Sequence, residues 1–127
     1  MTEKKIPVLI VGAGPTGLVL ALWLKKSGVP FRLVDSSTGP GQASRALAVQ
    51  ARTLEFYAQL GLSETLVKLG IRAEEIRMRR KGRVIARARL GAMGKGVSPF
   101  AYALFCSQDV HEEMLCAELA KLGVAVE

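Results

Sequence analysis

A glycine-rich turn near the N-terminus carries the clearest chemical signal in the sequence. Residues 12–17 read GAGPTG, a G-x-G-x-x-G pattern that follows a Val- and Ile-rich run and precedes a Leu-rich run. The first glycine of such a pattern permits a tight turn, the second lets the backbone approach a pyrophosphate, and the third lets the helix pack closely on the strand. The pattern therefore predicts a dinucleotide-binding turn built on Gly12, Gly14 and Gly17.

Three further residues favour this chemistry. Pro15 occupies the first helical position, where its missing N–H costs no intrahelical hydrogen bond. The N–H of Thr16 is among the backbone donors that would face the phosphates at the positive end of the helix dipole. Asp35 lies 23 residues after Gly12, where a carboxylate accepts hydrogen bonds from an adenosine ribose and disfavours a 2′-phosphate. The residues therefore predict FAD or NAD rather than NADP, with a purely structural turn capped by Asp35 as the alternative.

The elements that position these residues form a β-α-β unit over residues 6–35. Residues 6–11 are a continuous apolar run, typical of a strand buried on both faces of a parallel sheet. The following helix is apolar almost all round, so we expect it to be buried, and it should end near Lys26 with Gly28 beyond it. Residues 31–34 form the second strand. Such a crossover is right-handed with parallel strands, and the predicted fold class is a Rossmann-like α/β fold.

The rest of the chain adds helices and a basic β-ribbon to this fold. We expect one domain, with the ribbon at residues 74–91 turning at Lys81-Gly82. In the last helix Asp109 and Glu112 have capping-box spacing, and Ser63 is a plausible N-cap of an earlier one. The other predicted elements are a loop at 36–44, helices at 50–60, 63–69 and 109–122, a flexible loop at 91–99, a strand at 102–106, and the beginning of a strand at 124–127.

Composition excludes several classes of protein. Half of the 127 residues are hydrophobic, which argues against disorder. The apolar stretch at 8–24 is broken by glycines into halves too short to span a membrane, so we expect no membrane partner. Cys106 and Cys116 are too few for a secreted disulfide framework, so we expect them buried as small apolar residues in a cytoplasmic protein. A formal charge of +7 keeps phosphorylated or polyanionic partners open.

Longer stretches of the sequence carry a family resemblance. They read VLIVGAGPTGLVLALWL (8–24), SRALAVQARTLEFYAQLGL (44–62) and LFCSQDVHEEML (104–115). Together these resemble the aromatic-ring flavoprotein monooxygenases, the family of para-hydroxybenzoate hydroxylase, phenol hydroxylase and the polyketide hydroxylases. The resemblance covers nearly the whole chain and selects FAD over NAD.

The resemblance also implies a role for individual residues. The glycine turn, including Pro15 and Thr16, would cradle the FAD pyrophosphate, and Asp35 would bind the adenosine ribose. Ser36 would lie beside the adenine. Arg45 matches an arginine that reaches toward the FAD phosphates, and Gln108 a glutamine that contacts the ribityl and ribose region. Each of these residues also has a purely structural alternative. Arg45 and Arg52 would then be solvated surface charges, and Gln108 would be a residue that only starts a helix.

Enzymes of this family use NAD(P)H to reduce the flavin, which then activates oxygen to hydroxylate an aromatic substrate. Two later FAD-closing motifs of the family, an Asp-Gly pair and a Gly-Asp segment, have no counterpart here, nor has the central sheet of the substrate pocket. We therefore expect an N-terminal fragment without activity of its own. Its ribbon should expose apolar residues along Val84, Ala86, Ala88 and Leu90, and the chain should respond by self-association, disorder of the ribbon or rearrangement.

Two features suggest other readings. Nine basic residues lie between Arg72 and Lys95, which raises the alternative of a nucleic-acid or anionic-surface binding module. No aromatic residue interleaves these arginines, so we favour a solvated face and expect no nucleic-acid partner.

His111 is the single histidine and cannot form a metal site or a triad, so we expect it at the surface as a structural residue. Neither a catalytic nor a metal-binding residue is predicted.

Overall fold

Seven strands and five helices occupy the part of the chain that the computed structural model describes, residues 8–39 and 46–127. Residues up to 45 and from 108 onward cluster into one unit, here the discontinuous unit, and residues 46–107 into another, the central unit. In chain order the elements are β1 (Val8–Val11), α1 (Pro15–Lys26), β2 (Phe31–Val34), β3 (Ala46–Val49), α2 (Ala51–Gln59), α3 (Ser63–Leu69), β4 (Ile71–Ala73), β5 (Glu75–Arg80), β6 (Arg83–Arg89), α4 (Leu90–Gly94), β7 (Ala103–Ser107) and α5 (Gln108–Lys121).

The discontinuous unit contains the predicted β-α-β arrangement. β1 and β2 pair in parallel, with Val8 opposite Phe31 and Val11 opposite Val34. The α/β fold class is confirmed. The core of the unit forms where α1 packs on α5, because each helix carries apolar residues at three- and four-residue spacing on one face. Its buried apolar residues are Ile10, Leu18, Ala21, Leu22, Leu33, Met114, Leu115 and Leu119.

Burial of β1 on both faces and of α1 all round was a wrong expectation for this chain. Ile10 is buried, but Leu9 and Val11 are 59% and 77% exposed, and Leu20 on α1 is 44% exposed. Successive side chains of a strand point to opposite faces, and α1 covers only one face of the β1–β2 pair. No described element of this unit buries the opposite face.

Of the two chain segments that follow helices α1 and α5, the first agrees with its prediction and the second agrees only in part. Gly28 has φ +69° and donates to the Lys25 carbonyl, so it ends α1 in the left-handed conformation that favours glycine. Glu127 donates to the Leu33 carbonyl and accepts from the Asp35 amide, both at 2.9 Å. This is the hydrogen-bond pattern of a parallel neighbour of β2, although residues 124–127 are not a regular strand.

The central unit is built on a three-stranded antiparallel sheet in the order β3-β7-β4. The strand β7 and the helices α2 and α3 agree with the predicted elements to within one or two residues, although Ser63 is the first helical residue of α3 and not its N-cap. The sequence did not predict β3 and β4. The buried apolar residues of this unit are Val49, Leu54, Tyr57, Leu62, Leu66, Leu104 and Cys106.

The basic ribbon is the hairpin β5–β6, and its turn lies at the predicted place. Lys81 and Gly82 have φ +47° and +78°, which is the type I′ geometry of a two-residue hairpin turn. The predicted flexible loop at 91–99 is wrong in part, because Leu90–Gly94 form α4. A Cβ on Gly94 would lie 2.9 Å from the Ala101 Cα, so the glycine allows the close approach of these two segments. None of the helices in the described part of the chain has the length and apolar character needed to span a bilayer.

Candidate functional site

The glycine turn joins β1 to α1 with backbone geometry that two of its glycines require. Gly12 has φ +108°, and its N–H donates to the Val34 carbonyl at 2.8 Å, which holds the turn against the end of β2. A Cβ on Gly17 would lie 1.9 Å from the Gly12 carbonyl oxygen. Only glycine at position 17 therefore lets α1 begin so close to β1.

The start of α1 offers unpaired backbone donors. Gly14 is the N-cap in an extended conformation and provides no side-chain cap, and Pro15 fills the first helical position. The first intrahelical bond runs from the Leu18 N–H to the Gly14 carbonyl at 3.0 Å. The N–H groups of Thr16 and Gly17 therefore have no acceptor within the helix, and they carry the positive end of its dipole. This is the arrangement that binds a phosphate oxygen.

Asp35 lies beside this helix start. Its Oδ2 accepts from the Ala13 N–H at 2.5 Å, and its Oδ1 accepts from the Ser37 N–H at 2.7 Å. The hydrogen bond from Ala13, followed by those from Ser37, lowers the pKa of Asp35 to about 2. The carboxylate is thus ionised at neutral pH. Each of its oxygens retains acceptor capacity for a ligand hydroxyl.

A cleft of about 580 Å³ opens next to Asp35. Three of its lining residues, Asp35, Glu112 and Glu127, are acids, and no lysine or arginine lines it among the described residues. Such a cleft suits a neutral group rich in hydroxyl donors, such as a nucleoside, better than a phosphate. Its lining residues are Ala13, Gly14, Asp35, Ser36, Ser37, Thr38, Gly39, Glu112, Cys116, Val126 and Glu127.

A second, shallower groove lies on the β1 side of the same turn. It is lined by residues 9–12, 14–17 and Leu20, so the unpaired donors at the start of α1 belong to this groove. Gly14 borders both the groove and the cleft. The turn therefore presents an anion-binding surface and an acidic cleft that share one glycine.

The structure distributes the predicted site residues over these two surfaces. Gly12, Pro15, Thr16 and Gly17 line the groove, whereas Asp35 and Ser36 line the cleft. Arg45 lies outside the described residues. Arg52 belongs to the central unit, where it pairs with Glu55 at 2.8 Å and lies over the Phe56 ring.

Gln108, the remaining predicted residue, reaches the cleft only through Glu112. Its Nε2 donates to Glu112 Oε1 at 2.7 Å, and the Glu112 residue is only 5% exposed. The same oxygen lies 4.0 Å from where a Cβ on Gly14 would stand. Glu112 was considered in the sequence only as half of a capping box. Because α5 begins at Gln108, Asp109 lies within its first turn and not at the N-cap. The four-residue spacing of Gln108 and Glu112, which places them on the same side of the helix, was the signal that could have indicated their contact.

Two other residues of α5 differ from expectation. His111 is 2% exposed, so its assignment to the surface was wrong: it lies on the face of α5 that the unit buries. Burial lowers its pKa, and the nearby charge of Glu112 opposes that shift. Cys106 is buried as expected, but Cys116 is half-buried at the cleft. Burial, with a smaller contribution from Glu112, raises the pKa of the Cys116 thiol.

Comparisons with known proteins show which proteins the chain is similar to. A family model described as "FAD binding domain" matches residues 5–127. The chain is 40% identical over 120 residues to 6-methylpretetramide 4-monooxygenase of Streptomyces rimosus, which covers 94% of the chain and 21% of that enzyme. It superposes on the structure of p-nitrophenol 4-monooxygenase from Pseudomonas putida DLL-E4 with a TM-score of 0.87 and 28% identity, over 94% of the chain and 31% of the other.

A second solved structure, a ternary complex of aklavinone-11 hydroxylase with FAD and aklavinone, matches with a TM-score of 0.84 and 27% identity. All of this chain and 26% of that one are covered. The chain thus spans between about a fifth and a third of the length of the proteins it resembles.

Proposed function

The chain belongs to the FAD-binding domain family, and from that premise we propose that it holds the ADP half of FAD in a flavin-dependent monooxygenase. The proteins it resembles are monooxygenases and hydroxylases whose names specify aromatic or polyketide substrates. By this proposal the full-length enzyme uses NAD(P)H and hydroxylates a small aromatic substrate. The alternative is an FAD- or NAD-binding domain of another oxidoreductase.

The observation that carries the proposal is the juxtaposition of an ionised carboxylate and an uncapped helix start. The N–H groups of Thr16 and Gly17 offer hydrogen bonds to a pyrophosphate in the groove. Asp35 offers acceptors to ribose hydroxyls in the cleft, with Ser36 toward the adenine. Arg45 keeps the role that the family resemblance implies, that of a cation reaching toward the phosphates.

FAD supplies the redox chemistry, whereas the residues of this chain bind and orient it. Asp35 contributes a fixed negative charge that its two backbone donors hold in one orientation. A nucleotide with a 2′-phosphate would bring a second anion against this charge. The same carboxylate therefore favours FAD and NAD over NADP.

A titration tests the proposal directly. Calorimetry with FAD, NAD and NADP on the purified chain should show the tightest binding for FAD and the weakest for NADP. Tighter binding of NAD than of FAD would favour the alternative oxidoreductase domain.

Gly14→Val is the matching variant, since its branched side chain fills the space shared by the groove and the cleft. The nearest atom to a Cβ at this position is Glu112 Oε1 at 4.0 Å, so the fold should survive. FAD affinity should fall about tenfold to hundredfold, which is on the order of an overpacking penalty. Gly91→Ala in the central unit is the control, because its Cβ would make only an ordinary contact at 3.5 Å.

We further propose a cytoplasmic location, on the ground that the two cysteines of the sequence, Cys106 and Cys116, are not joined in a disulfide. We propose no nucleic-acid partner. A purified protein whose absorbance shows flavin without nucleic acid supports this, and bound nucleic acid at moderate salt contradicts it.

A further inference from the structure

We infer that Glu112 is a positioning residue that makes Gln108 present its carbonyl oxygen, and not its amide nitrogen, to the ribityl hydroxyls of FAD. The inference rests on the proposed function and on the ribityl contact that the family resemblance implies for Gln108. It concerns a residue to which the sequence motifs gave no role in binding.

The chemistry of the pair fixes the orientation of the glutamine amide. Gln108 and Glu112 lie one turn apart on α5, with Nε2 and Oε1 separated by 2.7 Å. An ionised carboxylate only accepts hydrogen bonds, so Gln108 must turn its NH₂ group toward Glu112. The reverse orientation would bring two oxygens to the same short distance. Among the described residues none donates to Gln108 Oε1, so this oxygen remains available to a hydroxyl donor.

The position of Glu112 links this pair to the glycine turn. Its Oε1 lies both at hydrogen-bond distance from Gln108 and 4.0 Å from the place of a Gly14 Cβ. Burying a carboxylate is unfavourable unless donors compensate it. The Gln108 amide and the positive end of α1, which begins at this glycine, both stabilise the charge. Glu112 therefore lies beside the cofactor turn and within hydrogen-bond distance of the Gln108 amide that it orients.

This arrangement affects the two halves of FAD differently. The ribityl chain donates hydroxyls, and the oriented carbonyl oxygen of Gln108 favours it. The phosphates are anionic, and the Glu112 charge beside the turn opposes them. ADP has the phosphates but lacks the ribityl chain. The ratio of FAD affinity to ADP affinity therefore isolates the orienting effect from the general stability of the site.

The test compares this ratio, measured by calorimetry with FAD and ADP, in the wild-type chain and Glu112→Gln. An amide at 112 can pair with Gln108 in either orientation, so the ratio should fall about threefold to tenfold, the loss of one neutral hydrogen bond. ADP should bind no more weakly than to the wild type, since a negative charge is removed. Glu113→Gln, an exposed neighbour on the same helix, should change neither affinity.

A swapped pair, Gln108→Glu with Glu112→Gln, supplies the rescue. Gln at 112 would then donate to Glu at 108, and a carboxylate oxygen would face the ribityl chain as an acceptor. The ratio should return to within about twofold of wild type, because an acceptor is again presented. If Gln108 instead presented its NH₂ group, the swap would deepen the loss.

Several outcomes overturn the inference. They are an unchanged ratio in Glu112→Gln, an equal fall of both affinities as expected of a purely structural residue, and a failed rescue by a folded swap. If circular dichroism shows that Glu112→Gln is unfolded, Gln108→Leu tests the inference in its place. This variant must lower the ratio of FAD affinity to ADP affinity while leaving ADP binding intact. A wild-type chain that binds neither ligand refutes the proposed function itself, whereas FAD preference with an unchanged ratio in Glu112→Gln refutes the inference alone.

Discussion

Asp35 ties the end of β2 to the turn after β1, because its Oδ2 accepts a hydrogen bond from the Ala13 amide at 2.5 Å. Its other oxygen accepts from the Ser37 amide, so the carboxylate bridges the turn and the segment after β2. The residue proposed to bind the adenosine ribose is therefore also a structural link within the site. Because of this double role, protonation of Asp35 should change the free energy of unfolding of the protein.

We predict that Asp35 contributes stability that disappears in acid. Its hydrogen bonds lower the pKa in the folded chain to about 2, below its ordinary value of 3.8. The unfolded chain thus binds the proton first, and the contribution present above about pH 4 is lost as the pH falls toward about 2. Urea unfolding of wild type and Asp35→Asn should show a smaller pH dependence for the variant in this window. Parallel curves for the two proteins would contradict the prediction.

We predict that Gly17→Ala destabilises the discontinuous unit. The added Cβ would stand 1.9 Å from the Gly12 carbonyl oxygen, so α1 or the turn must move. The cost should be at least about 1–3 kcal/mol of unfolding free energy, as in other overpacked sites. Gly39→Ala is the matched control, since no atom lies within 4 Å of its Cβ and its stability should hardly change. Equal unfolding free energies for the two variants would refute the close approach.

The parts of the fold that the sequence predicted well are those with local signals. The apolar run of β1, the glycines at 12 and 28 and the Lys81-Gly82 turn each act through their own backbone conformation. The strands β3 and β4 were missed, although β3 has four residues like the correctly predicted β1 and β2. Their pairing with β7 depends on residues that are distant in the sequence. The short helix α4 was missed because its glycines resemble those of a loop.

The residues of the candidate site likewise divide into those with a local sequence signal and those whose environment depends on tertiary packing. Asp35 and the glycine turn are recognisable because a phosphate and a ribose impose fixed residue types at fixed spacing. Glu112 and His111 become significant only when α5 packs on α1 and removes both from solvent. A polar residue on a helix is usually exposed, so the sequence favoured the wrong environment for His111.

We predict a second, separate loss of stability near neutral pH that depends on His111. Burial lowers the pKa of this histidine below its ordinary value of 6.5 in the folded chain. As the pH falls below about 6.5 the unfolded chain takes up the proton first, so unfolding becomes easier. His111→Leu should flatten this dependence between about pH 7 and about pH 5, where Asp35 does not titrate. The test is urea unfolding across that range, and an equally steep decline in the variant would exclude His111 as the source.

The hairpin β5–β6 exposes apolar residues on one of its faces. Ile76 and Met78 are 47% and 61% exposed, and their cross-strand partners Ala88 and Ala86 are also exposed. On the other face Arg77 lies opposite Arg87, a like-charge pair that disfavours the hairpin. A two-stranded ribbon with an uncovered apolar face is marginal in water.

We predict that the isolated chain self-associates through this apolar face. Sedimentation should show species larger than the monomer at high protein concentration. Met78→Gln should shift them toward the monomer, because Met78 is more exposed than Ile76, the other large apolar residue named on this face. Lys95→Gln, an exposed change elsewhere in the central unit, should leave association unchanged. In the dissociated variant the β5–β6 amides should exchange hydrogen faster than those of β7, whose core residues Leu104 and Cys106 are buried. A wild-type chain that remains monomeric with a protected hairpin would show that the face is stable in water without a partner.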